Sequence, residues 1–257
     1  MAMGNRLLDA LPRAVLRKHK DALDPIEFPL KKVLHEAEAP IDYVYFPARG
    51  VLSVVNEPDP GDVVEVATIG REGFCGYPIL LQADSMPSRT IVQIAGEGYR
   101  MKAGVFRKMV DSSRPTRDLF LRYMSTLVTQ IAQITSCNRL HEVQQRCARW
   151  LLQTHDRVDG DSFVLTQEFL AQMLGCHRPS VSVAAGMLQK EGLIEYARGA
   201  ITIRDRKGLE QASCSCYGFI VAEYQRLVGG GMERGSIVAD RRANHSRNSR
   251  NNRTEAD

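Results

Sequence analysis

No CxxC pair, no HxH pair and no HExxH motif occurs in the chain, although it holds six cysteines and six histidines. Zinc enzymes and zinc-finger modules usually show such pairs, because a tetrahedral ion needs several donors at once. The one close pair, Cys214 and Cys216, has no second pair near it in sequence, so no metal site and no certain cofactor is expected. The cysteines, Cys137 and Cys147 included, are expected as buried free thiols behaving like small hydrophobic residues. No apolar run reaches the ~18–20 residues that a membrane span requires. The N-terminal stretch also lacks the apolar block of a secretion signal. A cytoplasmic protein with no membrane partner is expected.

Strong charge is lacking too. Lys and Arg number 34 against 30 Asp and Glu, and the excess is spread thinly: 17 against 16 over residues 1–137, 11 against 10 over 138–228, and 6 against 4 over 229–257. Bulk attraction to a polyanion therefore cannot carry recognition, which must rest on a few placed groups. No carboxylate or histidine constellation supports a jelly-roll enzyme, and no catalytic residue is expected. What remains is an ordinary globular composition, 44% hydrophobic and 25% charged over 257 residues, enough for two modest domains.

Residues 28–107 read as β. Short β-prone runs (Tyr43 to Phe46, Val51 to Val55, Val63 to Ile69, Thr90 to Ile94) alternate with turn residues such as Pro58-Asp59-Pro60-Gly61, Gly70, Gly73 and Gly76. Such spacing predicts a small antiparallel barrel or jelly roll, flanked by helices over 7–19 and 103–111. From Thr116 the period changes. Phe120, Met124, Leu127, Ile131 and Ile134 step by 4, 3, 4 and 3 in a stretch free of Gly and Pro. That stripe suits either a helix packed on its own barrel or a coiled-coil seam, and dimerisation is the reading taken. From Gly229 onward, Arg, Asn, Ser and Gly predominate, and a disordered tail is expected.

The most specific pattern lies at 163–203. Thr166 can cap a helix from Gln167 to Leu174, Gly175 allows a left-handed turn, and a second helix follows from Arg178 to Glu191. Ala171 is small where the two helices must cross closely, and Val181 falls in the angle between them. Leu193 to Tyr196 and Ala200 to Ile203 flank Arg198-Gly199, which predicts a hairpin wing. A helix-turn-helix with a wing is a DNA-binding module.

With these residues in view, the stretch from His141 to Arg204, including EVQQRCARWLLQ and LTQEFLAQMLGCHRPSVSVAAGMLQKEGLIEY, resembles the DNA-binding domain of the Crp–Fnr family of bacterial transcription regulators. The likeness extends more weakly over residues 20–215, through YVYFPARGVLSVV and GFCGYPILL. It implies an α+β fold: an antiparallel β-roll resembling a cyclic-nucleotide-binding domain (1–112), a dimerisation helix (113–137), a winged helix-turn-helix (138–216), then a helix end and tail (217–257). It implies a homodimer on near-palindromic double-stranded DNA, with RNA polymerase as a further partner. The DNA-contacting positions become Thr166, Gln167, His177, Arg178, Ser180, Val181 and Ser182, with Arg178 matching the family's guanine-reading arginine.

The family's cyclic-nucleotide site maps onto Gly76, Tyr77, Arg89 and Thr90, but Tyr77 stands where the ribose-binding glutamate is expected. The base-contacting Thr–Ser pair falls on Ile131-Ala132. A cyclic nucleotide in its usual mode is thus disfavoured, and another small effector stays open. The alternative reading is a cyclic-nucleotide signalling module with secondary DNA contact. His35, the lone haem-ligand candidate, reads as a surface residue.

Overall fold

The computed structural model describes residues 2–59 and 61–229. The disordered tail expected over 230–257 lies outside the described residues. Helices α1 (Arg6–Asp9) and α2 (Arg13–His19) replace the single helix expected over 7–19, since Pro12 interrupts it. Seven strands follow: β1 (Asp24–Phe28), β2 (Val33–His35), β3 (Tyr43–Pro47), β4 (Val51–Asn56), β5 (Val64–Ile69), β6 (Arg89–Ile94) and β7 (Gly96–Lys102). They pair antiparallel in two sheets, β1-β7-β3 and β2-β6-β4-β5. The sheets enclose a core with an aromatic cluster of Phe46, Phe74 and Phe106. Strands β1, β2 and β7 escaped the sequence reading: β2 has three residues, and Gly and Glu in β7 weaken its alternation.

Helix α3 (Ala103–Asp111) leads to the long helix α4 (Arg114–Leu140), whose first turn is capped by Ser113 Oγ accepting from the Thr116 amide at 3.4 Å. Then come α5 (Val143–His155), β8 (Ser162–Val164), α6 (Gln167–Leu174), α7 (Arg178–Lys190), the wing strands β9 (Ile194–Ala197) and β10 (Ala200–Ile203), α8 (Arg206–Ala212) and α9 (Cys216–Val228). The wing is a three-stranded sheet, β8-β10-β9. Among the described residues no helix is long and apolar enough to cross a membrane.

The dimer seam needs correction. Phe120 packs edge-on against Phe74 and Phe106, and Phe120, Met124 and Leu127 belong to the roll's own core. Ile134 is buried within the protomer and Ile131 is half-buried against the same core. The stripe was real, but the aromatic interior of the roll takes it. The face of α4 left to solvent lies one residue over and carries Leu121, Val128 and Ala132.

Helix α9 was not foreseen as a packing element. It runs back along α4, with Cys216 near Cys137 at one end and Tyr224 beside Tyr123 and Leu127 at the other. The Tyr224 hydroxyl donates to the Glu72 carbonyl at 2.9 Å, joining the C-terminal helix to the roll.

The roll and the C-terminal domain also share buried polar groups. Arg157, just past α5, is 2% exposed; its Nε donates to Glu72 Oε1 at 2.9 Å, its Nη2 lies 2.8 Å from the same oxygen in an ion pair, and its Nη1 donates to Thr68 Oγ1 at 3.0 Å. Its stem lies over Gly70: a Cβ there would come within 2.5 Å of Arg157 Cδ, so the close approach requires glycine.

Nearby, Glu65 of β5 accepts from Trp150 Nε1 of α5 at 2.9 Å. Burial pushes the Glu65 carboxyl from 4.5 up to about 7, against the opposing pull of its Ser53 and Trp150 hydrogen bonds. Because the folded state holds this proton more tightly than the unfolded state, stability falls as pH rises from about 4.5 through 7. Glu65→Gln, neutral at every pH, should flatten that slope and gain about 2–3 kcal/mol on the native protein above pH 8. Urea midpoints measured between pH 5 and 9 check this; parallel pH profiles for the two proteins would refute it.

Candidate nucleic-acid interface

Thr166 caps α6, its Oγ1 accepting from the Phe169 amide at 3.2 Å. Gly175 ends that helix at φ 57°, the left-handed turn the sequence required. Val64 of β5 stands 3.0 Å from where a Cβ at Gly175 would be, so the turn is seated on the roll. Helix α7 then starts at the N-cap His177 with Pro179 in its first turn, where the missing N–H costs nothing. Val181, Ala184, Ala185 and Leu188 face inward, joining Leu170, Ala171 and Leu174 in one core.

The outward face of α7 carries His177, Arg178, Ser180, Val183, Met187 and Lys190. Val183 is 63% exposed and Met187 45%, more than apolar side chains of a settled core would be. Arg178 is held loosely, its Nε 4.0 Å from Glu168 Oε2 with both groups open to water. Two expected contact residues need revision. Val181 is fully buried between the helices, so its place among the contacts is corrected to packing. Ser182 donates to Gln167 Oε1 at 2.7 Å and to the Arg178 carbonyl at 3.1 Å, bracing α6 against α7. Sequence reasoning passed over Met187; its spacing of four from Val183 on the solvent side was the available signal.

The expected effector residues do not form an open anion site. Arg89 is paired with Glu36 Oε2 at 3.1 Å and Glu57 Oε2 at 3.4 Å. Thr90 points the other way, into the roll, in a buried chain. Cys75 Sγ donates to Thr90 Oγ1 at 3.2 Å, Thr90 Oγ1 lies 3.4 Å from His35 Nδ1, and His35 Nε2 lies 2.8 Å from the Tyr43 carbonyl. His35 is therefore an interior residue, 6% exposed, and its reading as a surface residue is corrected. Gly76 (φ 90°) and Tyr77 begin a short 3-10 turn beside these groups. Clefts of about 740 and 640 Å³ lie elsewhere, near Arg49 and Asp159, the first between the roll and residues 158–164.

The cysteines divide. Cys147 is fully buried and burial pushes its thiol up to about 12, an inert packing residue. Cys137, Cys214 and Cys216 stand together with His141, their donor atoms all within 4.8 Å of one another. The expectation that Cys214 and Cys216 lack a second ligand pair is thereby corrected: the end of α4 supplies it. A hydrogen bond from Cys214 draws the Cys137 thiol toward its ionised form, against burial and aided by the Arg149 guanidinium.

A winged helix-turn-helix joined to a β-roll through one long helix defines a class of DNA-binding proteins. Residues 145–212 match the Crp-like helix-turn-helix domain. The whole fold resembles that of FixK2 from Bradyrhizobium japonicum (TM-score 0.64, 15% identity, 75% of this chain and 98% of that one). It also resembles a CRP-family transcriptional regulator from Thermus thermophilus (TM-score 0.61, 18% identity, 73% and 96%). A third similar structure is the c-di-GMP-responsive global regulator CLP of Xanthomonas campestris (TM-score 0.58, 16% identity, 75% and 99%). No curated protein matches the chain in sequence. Residues 145–212 are thus a Crp-like helix-turn-helix domain, set in a chain that shares the fold of Crp/Fnr-family structures.

Proposed function

We propose that the protein binds a near-palindromic DNA site as a homodimer, with the first turns of α7 in the major groove, and controls RNA polymerase from there. The observation that carries the reading is the solvent-facing row on α7: an exposed guanidinium at Arg178, held only by the 4.0 Å pair with Glu168, a hydroxyl at Ser180 and apolar Val183 and Met187. An arginine fork suits guanine O6 and N7, and apolar side chains suit the thymine methyl. His177, Thr166 and Lys190 flank this row as phosphate or base partners. Val183 and Pro179 offer no charged readout, so the half-site is expected to contain thymine beside guanine.

The dimer is assigned to the exposed face of α4, through Leu121, Val128 and Ala132, with the two α7 helices about one DNA turn (~34 Å) apart. Val128→Glu would place two unpaired charges in that interface, at about 3 kcal/mol or more. Sedimentation should then show a dimer weakened by about 100-fold; an unchanged dimer would relocate the interface.

With Arg89 engaged by two carboxylates and Thr90 by Cys75 and His35, a cyclic nucleotide in the usual pose is not the effector in this reading. Selection of sites from a random DNA pool, with and without cyclic nucleotides, tests the whole proposal. A nucleotide-independent palindrome is expected. Tight nucleotide binding with no selected site would favour the signalling-module alternative.

A further inference from the structure

We propose that Cys137, His141, Cys214 and Cys216 bind a single zinc ion that ties the C-terminal end of α4 to the start of α9. Four donors converge from two stretches of chain far apart in sequence. Cys137 Sγ lies 3.4 Å from Cys214 Sγ, and Cys216 Sγ lies 3.5 Å from His141 Nδ1. A tetrahedral zinc with Zn–S near 2.3 Å and Zn–N near 2.0 Å sets donor edges of ~3.8 Å between sulfurs and ~3.5 Å between sulfur and nitrogen. The observed spread, at most 4.8 Å, brackets those edges, so small side-chain adjustments complete the shell. A cluster of several irons would hold its ligands farther apart, and a hard cation would want oxygen donors. Three thiolates and one imidazole, all spent on protein, make a closed structural set with no place left for a reacting water.

Two neighbours fit a thiolate–zinc centre. Gln133 Nε2 donates to Cys216 Sγ at 3.3 Å, the kind of outer hydrogen bond that orients and tunes a ligand. Three thiolates on a divalent ion carry a net single negative charge. The buried guanidinium of Arg149, which acts on Cys137 and whose hydrogen-bond partner among the described residues is the neutral Gln153 amide, at 2.6 Å, supplies the opposite sign. The Glu65 carboxyl also acts on it, and a negative metal centre would add to the opposite charge around this buried cation.

The placement gives the ion its task. His141 is the residue on which α4 ends, one residue before the cap of α5, and Cys214 sits in the connection between α8 and α9. The chain therefore enters and leaves the helix-turn-helix domain through the same four residues. The ion pins both passages.

The test is elemental analysis of the full chain purified with a thiol reductant and without chelator, followed by cobalt exchange of the stripped protein. One zinc per chain and the strong absorption of tetrahedral cobalt thiolate are expected. Cys214→Ser and, separately, His141→Ala should lose stoichiometric metal, whereas Cys147→Ser, outside the cluster, should keep it. Gln133→Leu should weaken zinc by about 10-fold while leaving the ligands in place. Circular dichroism separates lost metal from lost fold. The proposal is overturned if the wild-type chain takes up no stoichiometric zinc or cobalt, if the Cys214 and His141 variants retain it, or if peptide mapping finds Cys137 and Cys214 joined as a disulfide in the reduced preparation.

Discussion

Arg157→Ala should lower the stability of the protein by about 3–5 kcal/mol at neutral pH, the cost of stranding a buried carboxylate without its partner. The guanidinium holds Glu72, and despite the upward push of burial the pair keeps the Glu72 carboxyl below its ordinary value. In the native protein that stabilisation is present above about pH 4.5, the unfolded value, and is lost as pH falls through the lower folded one. Without Arg157, burial is opposed only by the backbone hydrogen bonds from Gly70 and Glu72, and Glu72 takes up a proton more readily. The defect should then shrink toward pH 5, a trend opposite to simple acid destabilisation. Urea titrations at pH 5 and pH 7.5 separate the two, and Arg157→Met with Glu72→Gln should recover much of the loss, since neither group is then left charged and unpaired. Equal losses at both pH values would mean that packing over Gly70, not the ion pair, dominates.

The second large effect is expected on DNA. Arg178→Ala should cost about 1–3 kcal/mol in binding to the selected site, roughly 5- to 150-fold, while leaving affinity for random DNA nearly unchanged. Arg178 makes no buried contact, so thermal stability should not move. Gel-shift titrations against matched and scrambled sites at one fixed salt concentration measure the difference. A uniform loss across both sites would demote Arg178 to a phosphate contact, and no loss would remove it from the interface.

The helix-turn-helix was legible because its rules are local. The cap at Thr166, the turn at Gly175 and the small Ala171 lie within ten residues of one another and dictate each other's conformation. Long α4 was equally legible as a helix, yet its apolar stripe could not say which neighbour it meets. Phe120 and Leu127 go to the roll because Phe74 and Phe106 wait there, one on a turn between strands and the other on α3. The thiol cluster was invisible for the same reason, since Cys137 and Cys214 are 77 residues apart and only the return of α9 along α4 joins them. Arg89 and Thr90 looked like a ligand pair in sequence. The alternation of a strand sends them to opposite faces, and each already has protein partners.

The return of α9 to α4 has a mechanical meaning. A DNA-reading domain hung from one linker could tumble about three axes, like a ball on a string. Here α5 through α8 form an excursion out of an antiparallel helix pair, attached where α4 ends and again where α9 begins, and Arg157, Trp150 and the turn at Gly175 fasten it to the roll as well. A body held at two adjacent points and clamped along a third side behaves as a braced bracket: whatever displaces the roll against α5 carries α7 with it. In the proposed homodimer, a shift of either roll would therefore reach α7 directly and change the spacing presented to DNA.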